Sequence, residues 1–375
     1  MSQMFKWSMV DGQWLMIGTP PFQPRLIRRG GNYFPSTMNH RNKASGEGSV
    51  LILALWVLFF LTSLAMAVGV HVSGNLILAA RLKTGTTAYY LAKAGVERAI
   101  LEIGCNSNAW DNLTEPWCDN EDIFKDIRLG DGSFCVSCSH TLLPGQVVTN
   151  YGVIDEERKI NINKASCSLL KSLIEIAGEL DSMTALEISS SIIDWRDQND
   201  EVSQGGAENG YYTQLNQPSS CHNGEFQALH ELLMVKGVRQ ELFFKLKPYM
   251  TIYGTGRVNI NTAEPVILGC LADSYGSADR SICESLVMKI VRFREAGSFF
   301  EESSASAIIG QLNESFGLLP DESVLISEMT GVITNQSTCF RGVVAGKLTG
   351  QSTDESRIVF VFDRDKQTKL YWCEY

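Results

Sequence analysis

The chain has 375 residues, 44% of them hydrophobic, with 32 glycines, 10 prolines and a net charge of −10. That length accommodates two or three domains of ordinary size. The acidic balance provides no overall basic field to draw in nucleic acid or an anionic membrane surface, so no nucleic-acid partner is expected; it favours protein or cation partners instead.

Residues 1–37 carry Pro20, Pro21, Pro24 and Pro35 and no helical period, and they read as a disordered cytoplasmic extension or as a start-site artefact ahead of Met38. From Gly48 to Ala80 no charged residue occurs, and Val50 to Val70 is almost wholly apolar. About 20 such residues at ~1.5 Å rise cross a ~30 Å hydrocarbon layer. Arg25, Arg28, Arg29, Arg41 and Lys43 before the run mark the cytoplasmic side, although Arg81 and Lys83 after it weaken the asymmetry. All ten cysteines follow the run, which fits an oxidising compartment beyond the membrane.

The apolar run is too long for a secretory signal and lacks a small-residue cleavage site after a short core. Basic residues, then a glycine, then a hydrophobic helix beginning at once resemble a type IV prepilin leader. In that family a dedicated peptidase cuts after the glycine on the cytoplasmic side. Cleavage between Gly48 and Ser49 fits best, with Gly46 and Glu47 the alternative. The fifth mature residue is then Leu53 or Leu51, where most pilins carry glutamate.

No proline interrupts the chain between Pro35 and Pro116, so one continuous helix is expected, half in lipid and half on a soluble domain. Its second part presents Ala88, Leu91, Ala92, Gly95, Val96, Ala99, Ile100 and Ile103 at spacings of three and four, giving one buried face. Strands are expected at Ser133 to Ser139 and Gln146 to Ile154, then helices to about Tyr249 and again from Thr262 to Leu319. Strands return at Cys339 to Leu348, Arg357 to Asp363 and Lys369 to Cys373. This order suggests a helical domain inserted into an α/β domain whose sheet the last strands complete. The expected organisation is a leader over 1–48, the membrane part of the helix over 49–80, the first part of the α/β domain over 81–157, the helical insert over 158–320 and the closing strands over 321–375.

Two segments repeat: Ile160-Asn161-Ile162-Asn163 with Ala165, and Val258-Asn259-Ile260-Asn261 with Ala263. Each leads into a helix, with Asn163 or Asn261 placed to cap it. The same signature resembles the opening of DNA-binding helix-hairpin-helix modules. Here the hairpin candidate Val235-Lys236-Gly237-Val238 has one glycine and acidic surroundings, so the repeat reads as a helix-packing device.

Asp194 and Asp197 stand three apart at the end of a helix, at its negative dipole end, where such clustering is unfavourable unless a positive group compensates. Arg196 is one candidate. The next loop adds Asn199, Asp200, Glu201 and Glu208, enough oxygens for a 6–8-coordinate Ca²⁺, although the glycine and terminal glutamate of an EF-hand loop are missing. Spacing alone leaves a solvated acidic loop and a metal site both open.

Catalytic signatures are not found: there is no Gly-x-Ser-x-Gly and no His-Glu-x-x-His, and Gly342 to Thr349 lacks phosphate-loop spacing. No enzyme is expected. Cys135 and Cys138 have no second pair at zinc-ligand spacing, and they read as disulfide partners for Cys105, Cys118, Cys339 or Cys373.

Tyr90 to Ala99, the Asp194-Trp195-x-Asp197 core, Gly206-Ala207-Glu208 with Tyr211-Tyr212, Phe226 to Leu233, the second Asn-Ile-Asn repeat and Leu370-Tyr371-Trp372 together resemble the GspK family, the K-type minor pseudopilins of type II secretion. The missing fifth-residue glutamate is a mark of the same subgroup. The resemblance runs from about Arg41 to Tyr375. It implies an α+β fold, a pilin-like long N-terminal helix packed on an antiparallel sheet with an inserted all-α domain that binds calcium. It also implies a single-pass inner-membrane protein with a large periplasmic part, processed by the prepilin peptidase. Such a protein joins the I and J minor pseudopilins, the major pseudopilin and the inner-membrane assembly platform at a pseudopilus tip, which in turn contacts the exoprotein or the outer-membrane secretin. The competing reading is a minor pilin of a DNA-uptake or type IV pilus-like filament.

Overall fold

A computed structural model describes residues 8–10, 13–15, 47–106, 108–143, 146–275, 279–350 and 355–375. Gly46 and nearly all of the expected leader lie outside the described residues. The chain divides into two units, Met1–His71 and Val72–Tyr375. The first holds a two-stranded antiparallel pair, β1 (Ser8–Val10) with β2 (Gln13–Leu15), and the start of helix α1 (Glu47–Cys105), which runs on into the second.

The expectation of one continuous helix holds over all 59 residues of α1. From Val50 to Leu82 its large apolar side chains are exposed, and this part is long and apolar enough to cross a membrane. Beyond that, Ala88, Leu91, Ala92, Val96, Ala99 and Ile103 are buried, as the three-and-four spacing requires.

After α1 come α2 (Glu121–Phe124), β3 (Ile127–Leu129), β4 (Gly132–Leu143), β5 (Gln146–Asn150) and β6 (Ile154–Asp155). The expected strand from Gln146 to Ile154 is thus two strands. Between them Tyr151 N–H donates to the Asp119 carboxylate and Val153 N–H to the Trp117 carbonyl, which turns the chain away from β4. The insert follows: β7 (Ile160–Asn161), α3 (Cys167–Ile176), α4 (Ser182–Arg196), α5 (Asn209–Tyr212), α6 (Gln240–Leu246), β8 (Met250–Thr251), β9 (Val258–Asn259), α7 (Pro265–Tyr275), α8 (Arg280–Glu295), α9 (Ala305–Phe316), α10 (Pro320–Met329) and β10 (Ile333–Thr334). The chain closes with β11 (Cys339–Leu348), β12 (Glu355–Asp363) and β13 (Thr368–Glu374). These three lie in one antiparallel sheet of order β13-β12-β11-β4-β3, with β5 on β4 and β6 on β11. The fold is therefore α+β and pilin-like, a long helix on an antiparallel sheet with a helical insert between β6 and β11.

The helix lies very close to the sheet. A side chain on Gly346 of β11 would run into the Ala88 carbonyl and Ala92 nitrogen of α1, and Gly95 of α1 sits directly over Val344 and Phe134. Small residues on both partners let the backbones approach, and Trp117, Phe124, Phe340 and Phe360 fill the rest of this core.

The insert is built twice. In both copies a two-residue strand pairs in parallel with the strand that ends the copy, β7 with β8 and β9 with β10. Asn163 exchanges two hydrogen bonds with the Phe226 backbone (2.8 and 3.0 Å), and Asn261 does the same with Phe300 (2.8 and 3.0 Å). The helix-capping role expected for these asparagines is therefore corrected: α3 is capped by Ser166, and the Asn amides bind across the fold to a later loop because an amide can donate and accept at once. Arg196 at the end of α4 donates to the Ile162 and Ala165 carbonyls, as Arg294 of α8 does to Ile260 and Ala263. Asp181 and Asp279 cap the second helix of each copy.

Where sheet and insert meet, several carboxylates are buried. Asp111 receives Arg364 in a two-point ion pair (2.9 and 2.8 Å), and Asp155 accepts from Thr262 and Ser337 (2.7 and 2.6 Å). Glu157 accepts from Thr338 and from the Cys339 and Thr255 N–H groups, with no cation bonded to it among the described residues, and burial pushes its acid up to about 7. The unfolded carboxyl ionises near its ordinary 4.5, so the folded state loses stability as pH rises from there through 7, by about 3 kcal/mol in full.

Two outcomes follow from this packing. Gly346→Val is expected to destabilise the protein by about 3 kcal/mol, read as a lowered melting temperature, because neither backbone can move aside. Melting temperatures measured from pH 5 to pH 8 are expected to fall, and Glu157→Gln to flatten that fall and raise the value at pH 8.

Candidate metal centre

Asp194 occupies the last turn of α4 and Asp197 caps that helix, so both stand where the unpaired carbonyls of a helix end already make the potential negative. Glu208 immediately precedes α5. The chain between them folds back so that one oxygen from each of the three carboxylates lies within 4.8 Å of the others. Asp194 is fully buried and Glu208 is 2% exposed. Gly206 is pressed against the Asp194 carboxylate, where any side chain would collide with it, and Ser203 N–H donates to both Asp194 oxygens at 3.3 and 3.2 Å.

Among the described residues no lysine or arginine forms a direct ion pair with this group, although Arg196 feels the charge of Asp197. The compensation that Arg196 offered in the sequence is made only at a distance and only toward Asp197, because its guanidinium hydrogen bonds go to the Ile162 and Ala165 carbonyls. Lys236 instead donates to the Gly205 and Gly206 carbonyls, at 3.0 and 3.1 Å. Both Glu208 oxygens are buried without a hydrogen-bond partner. Burial, and then the Asp194, Asp197 and Asp200 carboxylates, raise its pKa above the usual range, against the lowering effect of the nearby Cys221 thiol, whose own hydrogen bond goes to the Asp194 carbonyl.

Three clustered carboxylates, one of them buried without a hydrogen-bond partner, are costly as they stand, and a hard divalent cation would offset that cost with oxygen donors alone. The neighbouring Cys221 thiol is pushed up to about 11 by burial and donates to the Asp194 carbonyl at 3.6 Å.

The remaining loop residues are used differently. Asn199 accepts from Glu201 N–H at 2.7 Å, Asp200 accepts from the Asn209 and Asn223 amides at 2.9 and 3.1 Å, and Glu201 is exposed. Two contributors were not visible in the sequence. Asn209 ties Asp200 to the Cys221 N–H, and Asn223, with a positive φ of 47° and a buried, unpartnered side-chain oxygen, closes the loop from the far side. Nothing in their spacing marks them. The second copy of the insert clarifies the site by contrast: it joins Arg294 to Phe300 through Glu295–Phe299, where the first joins Arg196 to Phe226 through the whole acidic loop.

The other candidates are scattered. Gly48 and Ser49 lie in the first turn of α1. Cys105 is exposed at the end of that helix, Cys118, Cys138 and Cys339 are buried, and Cys135 and Cys373 are half-buried; all stand as free thiols. Cys135 pairs in register with Ala345 of β11 and Cys373 with Val359 of β12, so two strands separate β4 from β13.

Comparison with known proteins gives consistent results. Residues 152–255 match the family model for type II secretion system (T2SS) protein K. A type II secretion system protein K from Aeromonas hydrophila is 27% identical over 239 residues, which is 60% of this chain and 70% of that protein. A chain in the crystal structure of the GspK-GspI-GspJ complex from enterotoxigenic Escherichia coli superimposes with a TM-score of 0.56 at 17% identity, covering 81% of this chain and 99% of that one, a likeness of fold.

If the carboxylates hold calcium, their neutralisation has a signature that changes sign. Glu208→Gln is expected to raise the melting temperature in chelator, by relieving like-charge repulsion, and to abolish the rise that calcium gives the unsubstituted protein. At calcium 100-fold above its dissociation constant that rise corresponds to about 2.7 kcal/mol.

Proposed function

We propose, from the match to type II secretion system protein K and from the likeness of fold, that the chain belongs to the protein K family and caps the pseudopilus tip in complex with the I and J minor pseudopilins. It would initiate pseudopilus assembly there and so support protein export across the outer membrane. The carrying observation is a helix whose first half exposes large apolar side chains from Val50 to Leu78 with no lysine, arginine, aspartate or glutamate up to Ala80, and whose opening turns carry leucine where a filament subunit needs glutamate.

The physics is that of burying apolar surface. Helices of this kind leave the bilayer and bury their apolar halves against one another. In other pilins the early glutamate meets the N-terminus of the subunit already in place. With Leu53 at that position after cleavage between Gly48 and Ser49, the chain has no carboxylate with which to add beneath another subunit, and the first position suits it. The insert between β6 and β11 adds a steric reason, since a filament end has room for it and a packed shaft does not.

In this reading the prepilin peptidase removes the leader, α1 anchors the chain in the inner membrane, and the sheet and insert stand in the periplasm. Asp194, Asp197 and Glu208 hold a structural Ca²⁺ that fixes the acidic loop. The major pseudopilin and the assembly platform follow from the filament role, and the exposed insert is the part placed to meet the exoprotein or the secretin. No catalysis is assigned to the chain.

The full chain should be co-expressed with its I and J counterparts, extracted in detergent with calcium, and its mass measured by light scattering. A stable 1:1:1 species is expected. Failure to associate, together with salt-sensitive binding of DNA, would favour an uptake filament instead.

A further inference from the structure

At one end of the sheet an open cleft of about 550 Å³ separates α1 from the chain's last strand. Gly85, Tyr89 and Tyr90 of α1 form one wall, and Ser356, Glu374 and Tyr375 the other. The Tyr89 and Tyr90 rings meet edge to face at 5.4 Å, and Tyr90 and Tyr375 are 60% and 66% exposed. The Glu374 carboxylate accepts from Trp372 Nε1 at 2.6 Å and its charge acts on the nearby Tyr89 hydroxyl, and with about four acceptor positions it has capacity for a further donor. No described residue crowds Gly85, so the floor is open.

The position of the cleft on α1 gives it a meaning. The charge-free run ends at Ala80, and exposed Arg81 and Lys83 follow. At ~1.5 Å per residue Gly85 stands ~7.5 Å beyond Ala80, which is the depth of one headgroup layer. If α1 spans the membrane, two cations lie at phosphate level with a three-tyrosine, one-carboxylate cleft just outside them. Tyrosine is the residue expected at that depth, and its ring face attracts cations.

We propose that this cleft binds the headgroup of a zwitterionic phospholipid carrying a primary ammonium, phosphatidylethanolamine in chemical class. The ammonium enters the cleft and donates to Glu374 between the Tyr89, Tyr90 and Tyr375 rings, while Arg81 and Lys83 meet the phosphate. The neighbouring cation Arg357 is held by Glu355 at 2.9 Å and does not compete for Glu374. The site seats the base of the sheet on the bilayer before the subunit is extracted, and a lipid retained there must be released for extraction. The inference rests on the membrane-anchored reading above.

The test uses the full chain. Flotation with vesicles after a carbonate wash checks the anchor first. Native mass spectrometry from detergent, with equimolar phosphatidylethanolamine, phosphatidylglycerol and phosphatidylcholine of matched acyl chains, then reads headgroup choice. Retention of phosphatidylethanolamine about fivefold above the other two is expected, falling to parity in Glu374→Gln and Tyr375→Ser at unchanged circular dichroism. Preference for phosphatidylglycerol would reduce the surface to its two cations, and equal retention of phosphatidylcholine would remove the hydrogen-bonded ammonium; either overturns the site while leaving the anchor standing. A chain that fails to float overturns the anchor and the site together.

Discussion

The contact between the Ala88, Ala92 and Gly95 face of α1 and the Gly346 and Val344 stretch of β11 is the constraint on which the rest depends. A single helix has to satisfy two solvents. Its first half carries side chains that water rejects, and its second half must hold a sheet firmly enough to transmit position along the axis. Small residues on both sides of the contact supply that hold, because dispersion gains fall steeply with separation. The buried aromatic residues around it then fix the sheet's register against the helix.

From that sheet the insert departs at β6 and returns at β11, and its two copies use one frame. Each closes with an asparagine that satisfies a distant backbone amide and carbonyl, and with an arginine that satisfies two loop carbonyls. These are buried or half-buried polar groups bonded to the backbone of distant loops, which specify one arrangement where apolar packing alone tolerates several. The first copy differs by its long acidic loop, which is laid against the end of α4 and leaves Glu208 buried without a partner. A second copy that closes the same gap with the five residues 295–299 shows that the long acidic loop is not needed to complete the frame.

Much of this was legible in the chain. The charge-free run and the three-and-four spacing of Ala88 to Ile103 define α1, and the strands expected at Cys339 to Leu348, Arg357 to Asp363 and Lys369 to Cys373 coincide closely with β11, β12 and β13. The Asn-Ile-Asn repeat pointed to duplication, but the role of its last asparagine was misread as a local cap, because capping is a local rule and Phe226 and Phe300 lie 63 and 39 residues away. The break at Tyr151 was hidden for the same reason: it is set by Asp119 and Trp117, whose proximity no strand propensity encodes. In the acidic loop, spacing singled out Asp194, Asp197 and Glu208 together with Asn199, Asp200 and Glu201. Only the folded chain separates the first three, which converge, from the others, which serve the loop's own backbone or face solvent. Asn223 carried no signal at all, since its contribution depends on a backbone conformation found only once the loop is closed.

The central claim is that this chain ends a filament and does not extend one, and that distribution along the filament is directly observable. An epitope placed at exposed Glu302, in the loop of the insert that precedes α9, can be labelled with gold on sheared pseudopili and counted by electron microscopy. One label at one end of each filament is the expected result. Labels spaced along the shaft would contradict it, and would mean that the leucine at the start of α1 and the bulk of the insert are both compatible with internal packing.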